Sequence, residues 1–231
     1  MPVSYLDVAE RFLAATYPGA TTALIGGSTA RAERTETSDI DLLVIGDDLF
    51  PGDDTARAST HRFEDEIFEV FAYTPGGFTE WALRDLGRHR PVIVRMLVDG
   101  IPIRDDGTLP ALQVQWRARL ESGPSVDAHE IAVRRYIITD LIDDLRDATD
   151  RVELNLIAGL LYERLAELML LTNGCWIGSG KWLPRLLHTW DPERADALAS
   201  AWLTGEHLAF VAHAEHELAL AGGRVQAGFV R

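Results

Sequence analysis

The sequence is poor in three features that would each point to a particular class of protein. It has one cysteine, Cys175, in 231 residues, which excludes an internal disulfide and leads us to expect a reducing, cytoplasmic setting. No apolar run approaches the roughly 20 residues of a membrane span, so we expect no membrane partner. The N-terminal stretch lacks a basic start followed by a continuous apolar core, so we expect no secretory signal.

Basic residues are also in short supply. The sequence has 22 Lys and Arg against 36 Asp and Glu, which gives a formal net charge of −14. A field of this sign repels nucleic-acid phosphates unless a local basic patch offsets it, and the sequence shows no such patch, so nucleic acid is not an expected partner. Lysine is nearly missing, because Lys181 is the only one and all other basic residues are arginine.

Hydrophobic residues make up 47% of the chain, which is enough for a real core in one large domain or two modest ones. The early stretches TTALIGG, DIDLLVIG and DEIFEVFAYT indicate strands, whereas the periodicity from residue 109 onward is helical. We expect an α+β fold, with a small mixed-sheet domain over residues 1–108 and an α-helical bundle over residues 109–231. The run PVIVRMLVDG has the composition of a strand, but its flanking Pro91 and Gly100 favour a helix, which we predict.

Two carboxylates stand one residue apart at the start of an otherwise apolar strand. Asp39 and Asp41 alternate with Ile40, so both project from the same face. Like charges this close repel each other, and a hard cation such as Mg²⁺ removes the conflict. Two such ions roughly 4 Å apart can activate an attacking oxygen and stabilise a leaving one. The alternative is a strand start with Ser38 as its cap and two solvated acids.

A third carboxylate, Glu69, interrupts the apolar strand IFEVF. If this strand neighbours the strand of Asp39 and Asp41, Glu69 can face the same ions. It would then bind metal, act as a general base on an attacking hydroxyl, or do both. By itself it could equally be a charge that protects the edge of a sheet.

The first strand ends in glycines and a serine. The backbone of Gly27 and the hydroxyl of Ser28 would let a phosphate approach closely, and a helix beginning there would direct its positive end at that phosphate. Arg31 and Arg34 are candidates for contact with an anion. A Gly-Gly-Ser stretch alone, however, is more often only a turn.

Taken in order, these residues resemble the DNA polymerase β-type nucleotidyltransferase superfamily, in which Gly-Ser is followed, after a short loop, by Asp-x-Asp in an apolar strand. The matching stretch is GGSTARAERTETSDIDLLV, and FEVFAYT is similar to the later strand with the third acid. The layout resembles two-domain antibiotic nucleotidyltransferases of the aminoglycoside and lincosamide type. One departure is Ala32, where many members have glycine after the arginine.

The resemblance implies Mg²⁺, with two ions expected, and ATP or another nucleoside triphosphate as substrate. It implies transfer of a nucleoside monophosphate, AMP in the first instance, to a hydroxyl of a small acceptor, with release of pyrophosphate. An aminoglycoside-like antibiotic is one candidate acceptor. The alternatives are a protein AMP-transferase of the antitoxin type and a non-catalytic nucleotide-binding regulator. Monomer and homodimer both remain open.

The predicted site residues fall into two sets. Catalysis and metal binding are assigned to the three acids, Asp39, Asp41 and Glu69. Nucleotide and phosphate binding are assigned to Gly27, Ser28, Arg31, Ser38 and Lys181. Lys181 lies in the glycine-rich WIGSGKW at a helix start, where it could meet triphosphate oxygens as a compact point charge or could simply be a surface lysine.

Overall fold

The structure, a computed structural model, describes residues 5–35 and 37–230. The chain divides into two compact units, the first ending at Ser122 and the second beginning at Gly123. The sheet lies in the first unit and the second is helical, which confirms the expected α+β fold with a helical C-terminal region.

Among the described residues, five strands of the first unit form one mixed sheet. They are β1 (Thr22–Ile25), β2 (Ile40–Ile45), β3 (Ala56–Phe63), β4 (Glu66–Tyr73) and β5 (Ile101–Arg104). Their order across the sheet is β3-β4-β2-β1-β5. Strands β2 and β4 are parallel, and the other neighbouring pairs are antiparallel. The three predicted strand stretches correspond to β1, β2 and β4, and β3 is a strand that the sequence analysis did not predict.

The helices of the first unit are α1 (Tyr5–Thr16), α2 (Gly27–Ala30), α3 (Pro75–Gly87), α4 (Val92–Asp99) and α5 (Leu109–Glu121). The prediction of a helix for PVIVRMLVDG is confirmed by α4. The first turn of α4 is supported by Asp85, whose carboxylate accepts a hydrogen bond of 3.2 Å from the Ile93 backbone N–H.

The helix α5 packs with the first unit. Its Leu109 and Trp116 are buried, and the Trp116 ring meets the Phe78 ring edge-on with 5.5 Å between centroids. The first unit therefore extends to Ser122, one helix beyond the boundary expected after residue 108. The helical pattern of residues 109–121 gives no indication of the core against which the helix packs.

Different helices cover the two faces of the sheet. On one face, Leu42 of β2 lies in a fully buried cluster with Phe12 of α1. On the other face, Leu43 packs in the cluster formed with α3, α4 and α5. Because side chains alternate along a strand, Asp41 shares the face of Leu43, and Glu69 of β4 lies on the same face.

The second unit contains α6 (Ala128–Asp147), α7 (Arg151–Thr172), α8 (Trp182–Trp190), α9 (Pro192–Leu203) and α10 (His207–Leu220). Helix α7 lies at the centre of its core, where Leu161, Leu165 and Leu168 are fully buried. Asp150 begins this helix by accepting hydrogen bonds from the Val152 and Glu153 backbone N–H groups. None of the helices in the described part of the chain has the length and apolarity that crossing a membrane requires.

Candidate active site

Parallel pairing brings two of the predicted acids together. In the register of β2 and β4, Asp41 lies directly across from Glu69, so both carboxylates project side by side from one face. Both residues are half-buried, and the carboxylate of Glu69 raises the pKa of Asp41. The sheet has therefore placed two acids, distant in sequence, in direct contact.

The environment of Asp41 disfavours its charged form. Burial first, and then the nearby carboxylates of Glu69 and Asp39, raise the pKa of Asp41 to about 6. The guanidinium of Arg31 acts in the opposite direction, but the net shift is upward. A cation bound next to the Asp41 carboxylate would stabilise its ionised form.

Asp39 lies just before β2 and is exposed. Its charge reaches Asp41, as the raised pKa of Asp41 shows. Within residues 5–35 and 37–230, no three Asp, Glu, His or Cys side chains converge as they do around a bound metal ion. The structure therefore brings Asp41 and Glu69 into one pair and leaves Asp39 at its margin.

The backbone at Gly27 touches the Asp41 carboxylate. A Cβ atom at Gly27 would lie 1.6 Å from Asp41 Oδ2, and Gly27 has a φ of +61°, so only glycine suits this position. The neighbouring Gly26 N–H donates a 2.8 Å hydrogen bond to the Asp41 carbonyl. The turn after β1 is thus locked to the start of β2, with no side chain between the turn and the carboxylate pair.

A single helical turn, α2, follows this contact. It begins at Gly27, and the Ala30 N–H donates to the Gly26 carbonyl at 3.1 Å. Ser28 is half-buried in this turn, and its carbonyl accepts a hydrogen bond of 2.9 Å from the Glu33 N–H. Gly27 and Ser28 therefore lie together beside Asp41, as the predicted phosphate-binding role requires.

The loop between α2 and β2 explains the departure from the family motif. Ala32 has a φ of +57°, a left-handed conformation that glycine adopts without strain. The preceding Arg31 is exposed, and its Nε lies 3.5 Å from a Glu33 carboxylate oxygen. The motif that this stretch resembles has glycine at the position of Ala32, which suits a left-handed backbone, and this chain makes the turn with alanine.

The side chains of Ser38 and Arg34 have partners in the same loop. Ser38 Oγ accepts a hydrogen bond of 3.0 Å from the Thr35 N–H. Arg34 forms an ion pair with Glu66 and lies over the Tyr5 ring at 4.5 Å, on the α1 side of the sheet. These contacts hold the loop closed, and they place the Arg34 guanidinium on the face opposite Glu69.

Lys181 lies in the second unit, at the residue before α8, and is exposed. Of the two glycines near it, Gly180 has a φ of +52°, whereas Gly178 is packed so closely that a Cβ there would lie 2.8 Å from the Cβ of Trp182. The glycines therefore have a structural reason in the local turn and packing. The predicted contact of Lys181 with a nucleotide stays a prediction.

Sequence analysis missed two residues that share the face of Glu69. Thr60 of β3 lies across from Glu69, and Arg62 lies across from Ile67. Both are exposed. Strand β3 has polar residues on its exposed face and no continuous apolar run, so the only sequence signal was the weak alternation of ARASTHRF.

The acid pair suits a hard divalent cation. Carboxylate oxygens are the ligands that Mg²⁺ prefers, and it is typically held by one or two of them together with substrate phosphates. Asp41 and Glu69 supply two such groups, with the backbone of Gly27 against them. A divalent cation between the carboxylates would remove the repulsion that raises the pKa of Asp41.

Comparison with known proteins agrees with this geometry. Residues 7–97 match the family model described as "Nucleotidyltransferase domain". No curated protein matches the chain. Among solved structures, the chain is similar to a nucleotidyltransferase-like protein from Exiguobacterium sibiricum 255-15, with 16% sequence identity and a TM-score of 0.51 over 95% of this chain and 77% of that one. At this identity the likeness concerns the fold alone.

The match covers α1 through most of α4, and so includes Gly27, Ser28, Asp39, Asp41 and Glu69. The Gly-Ser turn, the Asp-x-Asp strand and the parallel strand with the third acid occur within it in the order that the motif requires. Residues 7–97 thus match the model of a nucleotidyltransferase domain, which supports the resemblance to the DNA polymerase β-type superfamily.

Proposed function

We propose that this protein is a Mg²⁺-dependent enzyme that transfers a nucleoside monophosphate, AMP from ATP in the first instance, to a hydroxyl of a small acceptor and releases pyrophosphate. The observation that carries the proposal is the pair of Asp41 and Glu69 in contact across two parallel strands, with the Gly27 backbone against Asp41. A structural ion pair would have a basic partner built into the fold, whereas this pair consists of two acids.

The residues of the site divide the reaction between them. The backbone of Gly27 and the hydroxyl of Ser28 would hold the triphosphate beside Asp41. Asp41, with Asp39 and Glu69, would hold Mg²⁺, which when bound neutralises phosphate charge and orients the leaving pyrophosphate. Glu69 lies on the side of Asp41 away from Gly27, because β4 and β1 flank β2 on opposite sides.

In phosphoryl and nucleotidyl transfer the attacking and leaving oxygens lie roughly in line on opposite sides of the phosphorus. If the pyrophosphate leaves towards Gly27 and Ser28, the acceptor hydroxyl enters from the side of Glu69. The Glu69 carboxylate is then in position to accept the proton of that hydroxyl as the new P–O bond forms. Lys181 is proposed to bind triphosphate oxygens as a point charge.

The test measures pyrophosphate released from ATP in the presence of Mg²⁺ and a panel of hydroxylated acceptors that includes aminoglycosides and lincosamides. The variants are Asp39→Asn and Asp41→Asn, and the matched control is Asp47→Asn, an exposed acid beyond the far end of β2. We expect a loss of about 1,000-fold or more in kcat/KM for Asp41→Asn, comparable with the loss of a key electrostatic group. The control should keep the wild-type rate.

Release of pyrophosphate that does not respond to Asp39→Asn or Asp41→Asn would contradict the assigned roles. A second arm incubates the protein with labelled ATP and cell lysate. A labelled protein band that requires Asp41 would move the acceptor from a small molecule to a polypeptide. Tight ATP binding by calorimetry, with no pyrophosphate from any acceptor, would indicate a nucleotide-binding regulator instead. The cytoplasmic location and the monomeric or dimeric state remain predictions.

A further inference from the structure

One face of the edge strand β3 is exposed and belongs to the same sheet face as Asp41 and Glu69. The sheet order β2-β4-β3 sets Asp41, Glu69 and Thr60 in sequence across three adjacent strands, and Gly27, just beyond the end of β1, lies on the other side of Asp41. Neighbouring strands are about 4.8 Å apart, so Thr60 lies roughly 10 Å from Asp41, on the side away from Gly27. Arg62 follows two residues later on the same face.

The two faces of β3 differ in what they contact. On the α1 side, Ser59 Oγ hydrogen bonds with His61 Nε2 at 2.8 Å, and Tyr17 Oη lies 3.2 Å from Ser59 Oγ. On the Glu69 side, Thr60 and Arg62 are exposed. In the part of the chain that the structure describes, the Arg62 guanidinium takes part in no ion pair or hydrogen bond.

Arg62 differs in this respect from several arginines near the sheet. The chain has an excess of acids, and most arginines near the sheet are occupied: Arg11 with Glu64, Arg34 with Glu66 and Arg104 with Glu10. The five N–H donors of the exposed Arg62 guanidinium can bind a ligand. Arg62 also lies on the Glu69 side of the site, from which the proposed in-line geometry requires the acceptor to enter. Such a guanidinium binds carboxylate or phosphate groups in a bidentate manner.

We infer that Thr60 and Arg62 form an acceptor subsite, and that the acceptor is a small hydroxylated molecule with an anionic group, a carboxylate or a phosphate, that Arg62 binds. The inference rests on the proposed function for the direction of acceptor entry. Binding of the anionic group by Arg62, with Thr60 between it and Glu69, would hold an acceptor hydroxyl beside the Glu69 carboxylate. A polycationic acceptor would instead meet the Arg62 charge at close range.

The net charge of −14 does not oppose this inference. At physiological ionic strength, charges beyond about 8 Å are largely screened, so an exposed ligand responds mainly to its nearest groups. A divalent cation on the carboxylate pair would cancel the charges of Asp41 and Glu69 and would leave Arg62 as a positive charge on this face. Local charge at the Thr60 side is then favourable to an anion even though the whole molecule is acidic.

The experiment measures equilibrium binding by calorimetry, in the presence of Mg²⁺ and a non-hydrolysable ATP analogue. Four probes are compared: gluconate as a hydroxylated carboxylate, glycerol 3-phosphate as a hydroxylated phosphate, glycerol as a neutral compound and kanamycin as a polycation. The variants are Arg62→Ala, Arg62→Lys and Thr60→Val. The matched control is Arg57→Ala, an exposed arginine on the opposite face of the same strand.

We expect at least one of the two anions to bind, and Arg62→Ala to weaken that binding roughly tenfold to hundredfold, as loss of a charge-assisted contact does. Arg62→Lys should recover part of the affinity, because it keeps the charge and loses the bidentate geometry. Thr60→Val should weaken the same probe by a smaller factor. Arg57→Ala should bind all four probes as the wild type does, and every variant should bind the ATP analogue within twofold of wild type. The preferred anion then distinguishes carboxylate from phosphate acceptors.

The inference is overturned if neither anion binds, if Arg62→Ala binds the anions as tightly as wild type, or if Arg62→Ala weakens the ATP analogue instead. Pyrophosphate release is measured for the same probes. Release with glycerol or kanamycin that requires Asp41 but not Arg62 would leave the proposed transfer standing and remove the subsite. Anion binding that requires Arg62, with no pyrophosphate from any acceptor, would keep the subsite and remove the transfer.

Discussion

Two acids of this protein, Glu167 in the second unit and Asp41 in the first, have neighbours of opposite charge. In the second unit, Glu167 is 2% exposed and accepts hydrogen bonds from Arg134 at 3.1 Å and Arg164 at 3.2 Å. In the first unit, Asp41 is half-buried against Glu69, and the nearest influence of opposite sign is the field of Arg31.

The difference separates an acid with a structural partner from the acid to which we assign a role in the proposed function. Glu167 has its countercharge built into the fold, so its contacts are complete without a ligand. Asp41 is held beside a second acid at a cost to its ionised form. An acid pair without a built-in cation, on a sheet face beside a glycine turn, is the feature on which the proposed Mg²⁺ site rests.

Loss of the ion pairs that Glu167 forms with Arg134 and Arg164 should have the largest effect on the free energy of unfolding. In Glu167→Ala, Arg134 and Arg164 lose a buried partner, and we expect the free energy of unfolding to fall by about 2 to 4 kcal/mol. Urea unfolding measures the change. The control is Glu163→Ala, an exposed acid one turn earlier on α7, which should stay within about 0.5 kcal/mol of wild type. Equal losses in both variants would contradict the contrast drawn here.

Substitution of Asp41 in the pair with Glu69 should increase the free energy of unfolding, whereas substitution of Glu167 should decrease it. Because the pKa of Asp41 is raised to about 6, its ionisation lowers stability as the pH rises from about 4 to 6, and the loss is complete above pH 6. Asp41→Asn should therefore be more stable than wild type above pH 6, by about 1 to 2 kcal/mol after allowance for solvent screening. The gain should vanish below about pH 4. Urea unfolding across this range tests it, and a gain independent of pH would disprove the electrostatic cause.

Added Mg²⁺ should stabilise the folded protein through Asp41 and Glu69, and it should have no such effect through Glu167. A cation that binds the folded acid pair stabilises it by mass action, by about 1 kcal/mol when its concentration is several times its Kd. We expect this stabilisation in the wild type at pH 7.5 and its absence in Asp41→Asn. Glu167→Ala should respond to Mg²⁺ as the wild type does. A response that survives in Asp41→Asn would place the cation elsewhere.

The smallest effect concerns the cation that acts on Asp41 from a distance. Arg31 lowers the pKa of Asp41 only by its field, so Arg31→Gln should raise that pKa further. The shift should be ~0.5 pH unit or less, because an exposed charge acts through water. The stability gain of Asp41→Asn is measured against pH with and without Arg31→Gln. The pH at which half of the gain is reached should be higher when Arg31→Gln is present. Arg57→Gln is the control, and displacement in both variants would rule out a specific effect of Arg31.

Much of this site could be predicted from sequence, for identifiable physical reasons. The alternation of Asp39, Ile40 and Asp41 fixes which face the acids share, and an acid inside IFEVF has no simple place in an apolar strand. The resemblance to a known motif then linked the two strands. Their parallel pairing with Asp41 across from Glu69 is visible only in the folded sheet, because register depends on contacts far apart in sequence.

Other features could not be predicted from the sequence, and the reasons are also physical. Strand β3 lies at the sheet edge with one face exposed, so its sequence needs no apolar alternation and reads as a loop. Thr60 and Arg62 were missed with it. The helical pattern of α5 does not identify the core against which the helix packs, so the end of the first unit at Ser122 could not be predicted.

The contact between Gly27 and Asp41 has a consequence for genetics. A single added methyl group at residue 27 would overlap the carboxylate oxygen, and it would do so without changing any charge or any acid of the site. Gly27→Ala should therefore abolish the proposed transfer while the charge of the protein stays the same. In a cell, such an allele would separate the effects of the proposed transfer from the effects of the presence of the protein.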